Sequence, residues 1–240
     1  MGTREEQEQE WRDRAEAMSA EDLCARWDAD LNSLDQDVSM IIVARTMFRE
    51  LDAAIVELHQ DGSGIVAGYF LRPLYLEAQT TRIRRLADHD LRSISFRRIL
   101  REMRLRPEIV TRKSYLDRVR EHYPDEAEHV AVANEEFDRL AGAGEQQIPD
   151  SVISSYLSNL DRSLSTVNGF VNKYVAHRDD DRPPPISWHD LDAAIDSLAE
   201  HVSAISLPLI GTVRFLDVYI QPAWRGVFRE GLDVKPLGDL

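Results

Sequence analysis

The sequence predicts an all-α protein folded as an antiparallel helical bundle. Apolar residues recur three and four positions apart along most of the 240 residues, the spacing that gives a helix one apolar face. Alternation at period two never runs beyond four residues. No Asn-Gly or Asp-Gly pair joins two alternating runs, as a hairpin would need.

The elements follow in order. Residues 4–18 are strongly charged and read as an exposed helix, and Glu21 to Asn32 as a second, weaker one. Val38 to Gln60 carries a wide apolar stripe: Ile41, Ile42, Phe48, Leu51, Ile55 and Leu58. Asp61-Gly62-Ser63-Gly64 ends it with two glycines in a turn. Ile65 to Ala87 runs back along it, with Pro73 expected to kink it. Ser93-Ile94-Ser95 offers an N-cap. The next helix puts Phe96, Ile99, Leu100 and Met103 on one face and Arg97, Arg98, Arg101 and Arg104 on the other, and Pro107 stops it. Helices over Thr111–His122 and Asp125–Leu140 follow. The stretch Ala141-Gly142-Ala143-Gly144, with Gln146 and Gln147, reads as a flexible loop. Two long helices close the chain, one from Pro149 to about His177 and one from Ser187 onward, the latter interrupted by Pro208 and Gly211. The expected division is an acidic extension over 1–35, a bundle over 36–220 and a tail over 221–240. Within the bundle, 36–87 and 149–218 supply the four main helices, and 82–147 is a basic-then-acidic insertion.

Composition sets limits. Cys24 is the only cysteine, so no internal disulfide can form and a reducing compartment is expected. The first residues lack the apolar core of a secretion signal. No apolar run approaches the ~18 residues of a membrane span, so a cytoplasmic protein with no membrane partner is expected. Net charge is −14, which opposes a nucleic-acid partner, but the charge is unevenly spread. Residues 1–40 hold 12 acidic and 4 basic side chains, residues 121–150 hold 9 and 1, and residues 82–120 reverse this with 13 basic and 5 acidic. The basic segment either faces RNA or pairs with the acidic segments on its two sides.

Common enzyme signatures are missing. The chain has no P-loop, no dinucleotide-binding glycine triplet and no His-Glu-x-x-His. Its histidines, His59, His89, His122, His129, His177, His189 and His201, show no metal-ligand spacing. Asp179-Asp180-Asp181 reads as a solvated turn after a helix. No metal and no cofactor are expected.

One segment stands apart: Asn172-Lys173-Tyr174-Val175-Ala176-His177-Arg178-Asp179 closes the first of the two final helices. It resembles the signature of the HEPN family, in the branch of the abortive-infection AbiU-like proteins. Arg82-Ile83-Arg84-Arg85-Leu86-Ala87-Asp88, followed by Ser95-Phe96, resembles that branch's middle portion. The likeness covers about 36–215, and its specific part is the eight-residue phrase. It implies a HEPN-type bundle with additional peripheral helices. In that family an arginine, a polar residue and a later histidine end the penultimate helix, and two such motifs meet across a homodimer to cut RNA without metal. Carried over, His177 moves the proton, Asn172 positions the phosphate or the 2′-hydroxyl, and Lys173 or Arg178 stabilises the phosphorane. Arg97, Arg98, Arg101 and Arg104 would hold RNA phosphates. The family's arginine falls on Val171. Three readings stay open: an endoribonuclease toxin with a cognate antitoxin, a dimeric binding or regulatory module without activity, and an acidic scaffold or antitoxin-like partner. A Val171→Arg change is expected to restore activity if only the cation is missing. Tyr174 is expected to pack in the core.

Overall fold

The structure is a computed structural model that describes residues 3–58, 65–124, 127–176 and 186–210. Among these residues it is all-α, with no strand and a single isolated bridge, Thr111 to Gln147. The helices are α1 Arg4–Ala17, α2 Ala20–Leu58, α3 Ile65–Leu86, α4 Phe96–Leu105 and α5 Arg112–His122. They continue as α6 Ala127–Ala141, α7 Asp150–Ser163, α8 Ser165–Phe170, a π-helical segment Val171–Ala176, and α9 Trp188–Ile210.

The long α2 is the spine. Two helices were expected here, and one of 39 residues forms. Nothing between Ala20 and Leu58 can stop it, since the segment has neither glycine nor proline. The stripe Leu23, Trp27, Leu31, Leu34, Val38, Ile41 keeps steps of three and four across the polar stretch Asn32–Asp37, and all six are buried. Each such side chain removed from water contributes about 1.5–3 kcal/mol. Ser19 caps the start, its Oγ accepting from Asp22 N at 3.0 Å. Helices α3 and α9 pack along α2, α7 packs on α4 and α9, and α5 packs on α6. Phe48, Tyr75 and Trp188 join α2, α3 and the start of α9, with Phe48 and Tyr75 stacked at 3.9 Å.

Leu23, Trp27, Leu31 and Leu34 belong to the core, and α2 runs unbroken through residue 35. The expected insertion shares that core through Phe96, Ile99, Leu100, Tyr115 and Phe137. Residues 211–240, with the expected tail, lie outside the described residues, as does Gly62-Ser63-Gly64.

Neither proline ends its helix. Helix α3 runs through Pro73 and α9 through Pro208. Pro73 is exposed, so water can take the carbonyl that its missing N–H leaves unpaired. The glycine loop is tied rather than free. Gly142 leaves α6 with φ +109, the left-handed turn that favours glycine. Arg112 then donates to Gln146 O (2.9 Å, from its backbone N) and to Glu145 O (2.8 Å, from Nε). Gly144 N donates to Asp138 Oδ1 at 3.0 Å. That N–H, and then the Arg112 guanidinium, hold the Asp138 carboxyl below its ordinary range.

Candidate functional site

The segment carrying the motif is not one straight helix. Helix α7 stops at Ser163, where Ser163 Oγ donates to Leu160 O at 3.3 Å and Ser165 Oγ donates to Arg162 O at 2.9 Å. Such side-chain bonds compete with the helical ladder. Helix α8 restarts at Ser165, and the chain widens into the π-helical segment at Val171. Long π-helical turns are rare and cluster at functional sites.

That segment sorts the motif residues. Val171 is 3 % exposed and belongs to the core with Leu160, Leu164, Val167 and Phe170. Asn172 and Lys173 are exposed. Tyr174, expected in the core, is 56 % exposed and stacks on Phe170 at 5.2 Å. Its place on the surface follows from the wider turn, which buries Val171 and turns the next three side chains outward. Lys173 makes no salt bridge or hydrogen bond with a described residue. His177 and Arg178 lie outside the described residues, with Asp179 to Asp181. The structure therefore brings Asn172 and Lys173 together on an exposed edge beside α3. The α-helical spacing that put Lys173 on the face of His177 does not apply unchanged, because a π turn closes i to i+5.

The basic face of α4 is engaged in ion pairs. Helix α4 is enclosed on most sides, and Arg97 and Arg98 are buried with Phe96, Ile99, Leu100, Glu102 and Met103. Arg97 is ion-paired with Asp161 of α7, and Arg98 with Asp30 of α2. Arg101 faces Glu8 of α1 at 3.8 Å, and Arg104 reaches Asp150 at 2.5 Å. Elsewhere in the basic segment Arg85 pairs with Asp37 (2.6 Å) and Arg112 with Asp138 (2.5 Å). The acidic stretches on both sides supply the partners of Arg85, Arg98, Arg101, Arg104 and Arg112, while Arg92, Arg106, Lys113 and Arg120 pair with carboxylates inside the segment. Reversing Arg101 and Arg104 to Glu is expected to change stability by no more than about 1 kcal/mol each, as for exposed pairs. RNA affinity should stay unchanged in a filter-binding assay; a drop in affinity with a flatter salt dependence would return these arginines to RNA binding.

Two features escaped the sequence reading. Glu102 lies fully buried between α1, α2 and α4. Its carboxylate accepts from Trp27 Nε1 at 2.8 Å and Trp11 Nε1 at 3.1 Å, and Arg26 contacts it at 2.6 Å. The signal was present, since Glu102 is the one acid inside a basic helix and sits beside the apolar stripe. The second is His201, buried to 4 % exposure, with Nδ1 2.7 Å from Ser197 O and Nε2 3.1 Å from Tyr156 O. Only the fold brings its partners together. Among the described residues, no three His, Cys, Asp or Glu side chains are placed to hold a metal ion. None of their helices is long and apolar enough to cross a membrane.

Fold and site together define an all-α helical bundle with an exposed polar turn closing its penultimate described helix. No protein-family model matches the chain, and no curated protein or solved structure is significantly similar to it.

Proposed function

We propose that this chain is a HEPN-type, RNA-binding regulatory module that works as a homodimer and does not use the family's arginine. The observation that carries this is the burial of Val171 at 3 % exposure. A guanidinium acting on a phosphorane must open onto the cleft that holds the phosphate. The side chain at the arginine's position instead belongs to the apolar core that also holds Phe170, Val167 and Leu164. Next to it Asn172, Lys173 and Tyr174 stand exposed in a row. An amide, an exposed cation and an exposed ring suit single-stranded RNA, which is held by phosphate contacts and by stacking on aromatic side chains.

The exposed Lys173 favours a second reading, the metal-independent endoribonuclease toxin. His177 would then transfer the proton, with Lys173 or Arg178 as the cation. A lysine supplies a point charge but not the bidentate fork of an arginine.

Expression of the wild type beside His177→Ala in a sensitive host separates the two. The module predicts equal growth and intact total RNA for both, with single-stranded RNA binding reduced in Lys173→Ala and Tyr174→Ala. The toxin predicts cleavage that survives EDTA and disappears in His177→Ala. Sedimentation should give a dimer at micromolar concentration, formed through the residues 149–218.

A further inference from the structure

An apolar cleft of about 250 Å³ lies where α5, α6, α7 and α9 converge, away from the motif. Tyr115, Phe137, Leu140, Tyr156 and Ala204 form its walls, with Glu136 and Arg139 beside them. The walls are held in place. Tyr115 stacks on Phe137 at 6.0 Å, and His201 ties α9 to α7 through its contact with Tyr156 O at 3.1 Å. The apolar surface continues along α6, where Val132 stands two turns before Leu140 on the same side and is 47 % exposed.

The end of the described chain supplies an occupant. Ala204 lines the cleft, and the last described residue, Ile210, follows six residues later, about 9 Å along the axis of α9. The sequence beyond it holds a dense apolar run, Val213-Arg214-Phe215-Leu216-Asp217-Val218-Tyr219-Ile220. Six of these eight residues are apolar, and such a run needs cover from water. Five residues of chain span up to about 17 Å, so Phe215 can reach back to the cleft beside Ala204.

Charge points the same way. In this acidic chain most described arginines face a carboxylate, from Arg12 on α1 to Arg120 on α5. Arg139 makes no ion pair or side-chain hydrogen bond with a described residue, and it is exposed at the cleft. Asp217 is the one acid of the apolar run and comes two residues after Phe215.

We propose that residues 213–220 dock in this cleft of their own chain, with Phe215 against Leu140, Tyr156 and Ala204, and Asp217 beside Arg139. The aromatic walls suit a ring, which can meet them by edge or by face. The docked run ties α9 to α5 and α6 and covers the apolar surface they leave open. The cleft shares no residue with the Asn172–Tyr174 edge, so the docking stands whether or not that edge binds RNA.

The test is disulfide trapping in the full chain. Cys24→Ser removes the only cysteine, and Arg139→Cys with Asp217→Cys supplies a new pair within bonding reach. With copper–phenanthroline as oxidant and protein at low micromolar concentration, a cross-link within one chain is expected, identified by mass spectrometry of the tryptic peptides. Adding Ala204→Glu, which fills the cleft with a charge, should lower its yield about tenfold or more with an unchanged circular dichroism spectrum. The pair Phe70→Cys with Asp217→Cys should stay unlinked, because Phe70 is exposed beyond Tyr75 at the Trp188 end of α9. Trypsin gives a second readout, since it cuts after Arg214 and cutting follows the open fraction. The wild type should be cut there at least about tenfold more slowly than Ala204→Glu. Equal cutting of the two, no cross-link between positions 139 and 217, or a cross-link undiminished by Ala204→Glu would each overturn the proposal. So would cross-linking only between chains, which would seat the segment of a second copy in the cleft.

Discussion

Glu102→Ala is expected to lower stability by about 3–5 kcal/mol, the range for removing one partner of a buried charge pair. The side chain is fully buried, and three groups contact it. Two indole N–H groups, from Trp11 and Trp27, donate to its two oxygens. Arg26 contacts it at 2.6 Å, and Arg98 Nε lies 4.0 Å away. Alanine leaves the Arg26 guanidinium and two indoles short of an acceptor, while Arg98 keeps Asp30. The penalty comes mostly from these stranded donors rather than from the lost contacts. For a chain of this size 1 kcal/mol moves Tm by about 2–4 °C, so the midpoint should drop by roughly 10 °C. Glu102→Gln keeps an acceptor but no charge, and should fall in between. Trp11→Phe removes one partly exposed bond and should cost about 1 kcal/mol. Urea unfolding of the four proteins measures the series. A Glu102→Ala protein as stable as the wild type would mean that the carboxylate is not what ties α1 and α2 to α4.

The same carboxylate shows where sequence reading stops. The helical class follows from local spacing, because side chains three and four apart share a face wherever the backbone is helical. Positions such as Ile153, Leu160 and Val167 were legible for that reason, and they are buried. The join of residues 20–58 into one helix was legible too: the stripe from Leu31 through Leu34 to Val38 crosses the polar stretch without a breaker. Pairings between distant residues were not legible. Arg97 meets Asp161 across 64 positions, and Trp27 meets Glu102 across 75. Spacing on α4 alone made Arg97 and Arg98 look solvent-facing. Only the packing of α7 and α2 against that face shows why a buried helix is basic: each guanidinium meets a carboxylate from a neighbour. The uneven charge along the chain was the legible trace of this compensation.

The candidate site was legible as a phrase but not as a shape. Asn172 and Lys173 stand exposed beside each other. The widening of the helix at Val171 had no sequence marker beyond Gly169 and the serines around Leu164. It decides which side chain points inward, and helical spacing could not settle that.

Val171→Arg tests this most directly, and the structure reverses the expectation drawn from the resemblance. Had the position faced an open cleft, an arginine there would have restored the family's cation and raised activity. At 3 % exposure, among Leu160, Leu164, Val167 and Phe170, it meets apolar neighbours instead. A guanidinium placed there loses its hydration without gaining a partner, which costs several kcal/mol. Its added volume strains a packed core by about a further 1–3 kcal/mol. The expected protein is poorly soluble or has a Tm lowered by roughly 10 °C or more, with no gain in RNA cleavage. Val171→Met keeps the site apolar and close in volume, and should cost less than about 1.5 kcal/mol. Thermal unfolding of both variants, with total RNA followed after expression, gives the comparison. A Val171→Arg protein with wild-type stability and new RNase activity would mean that the side chain reaches solvent, and the toxin reading would replace the module. A destabilised arginine variant beside a stable methionine variant would mean that the family's catalytic position has become part of the core of this protein.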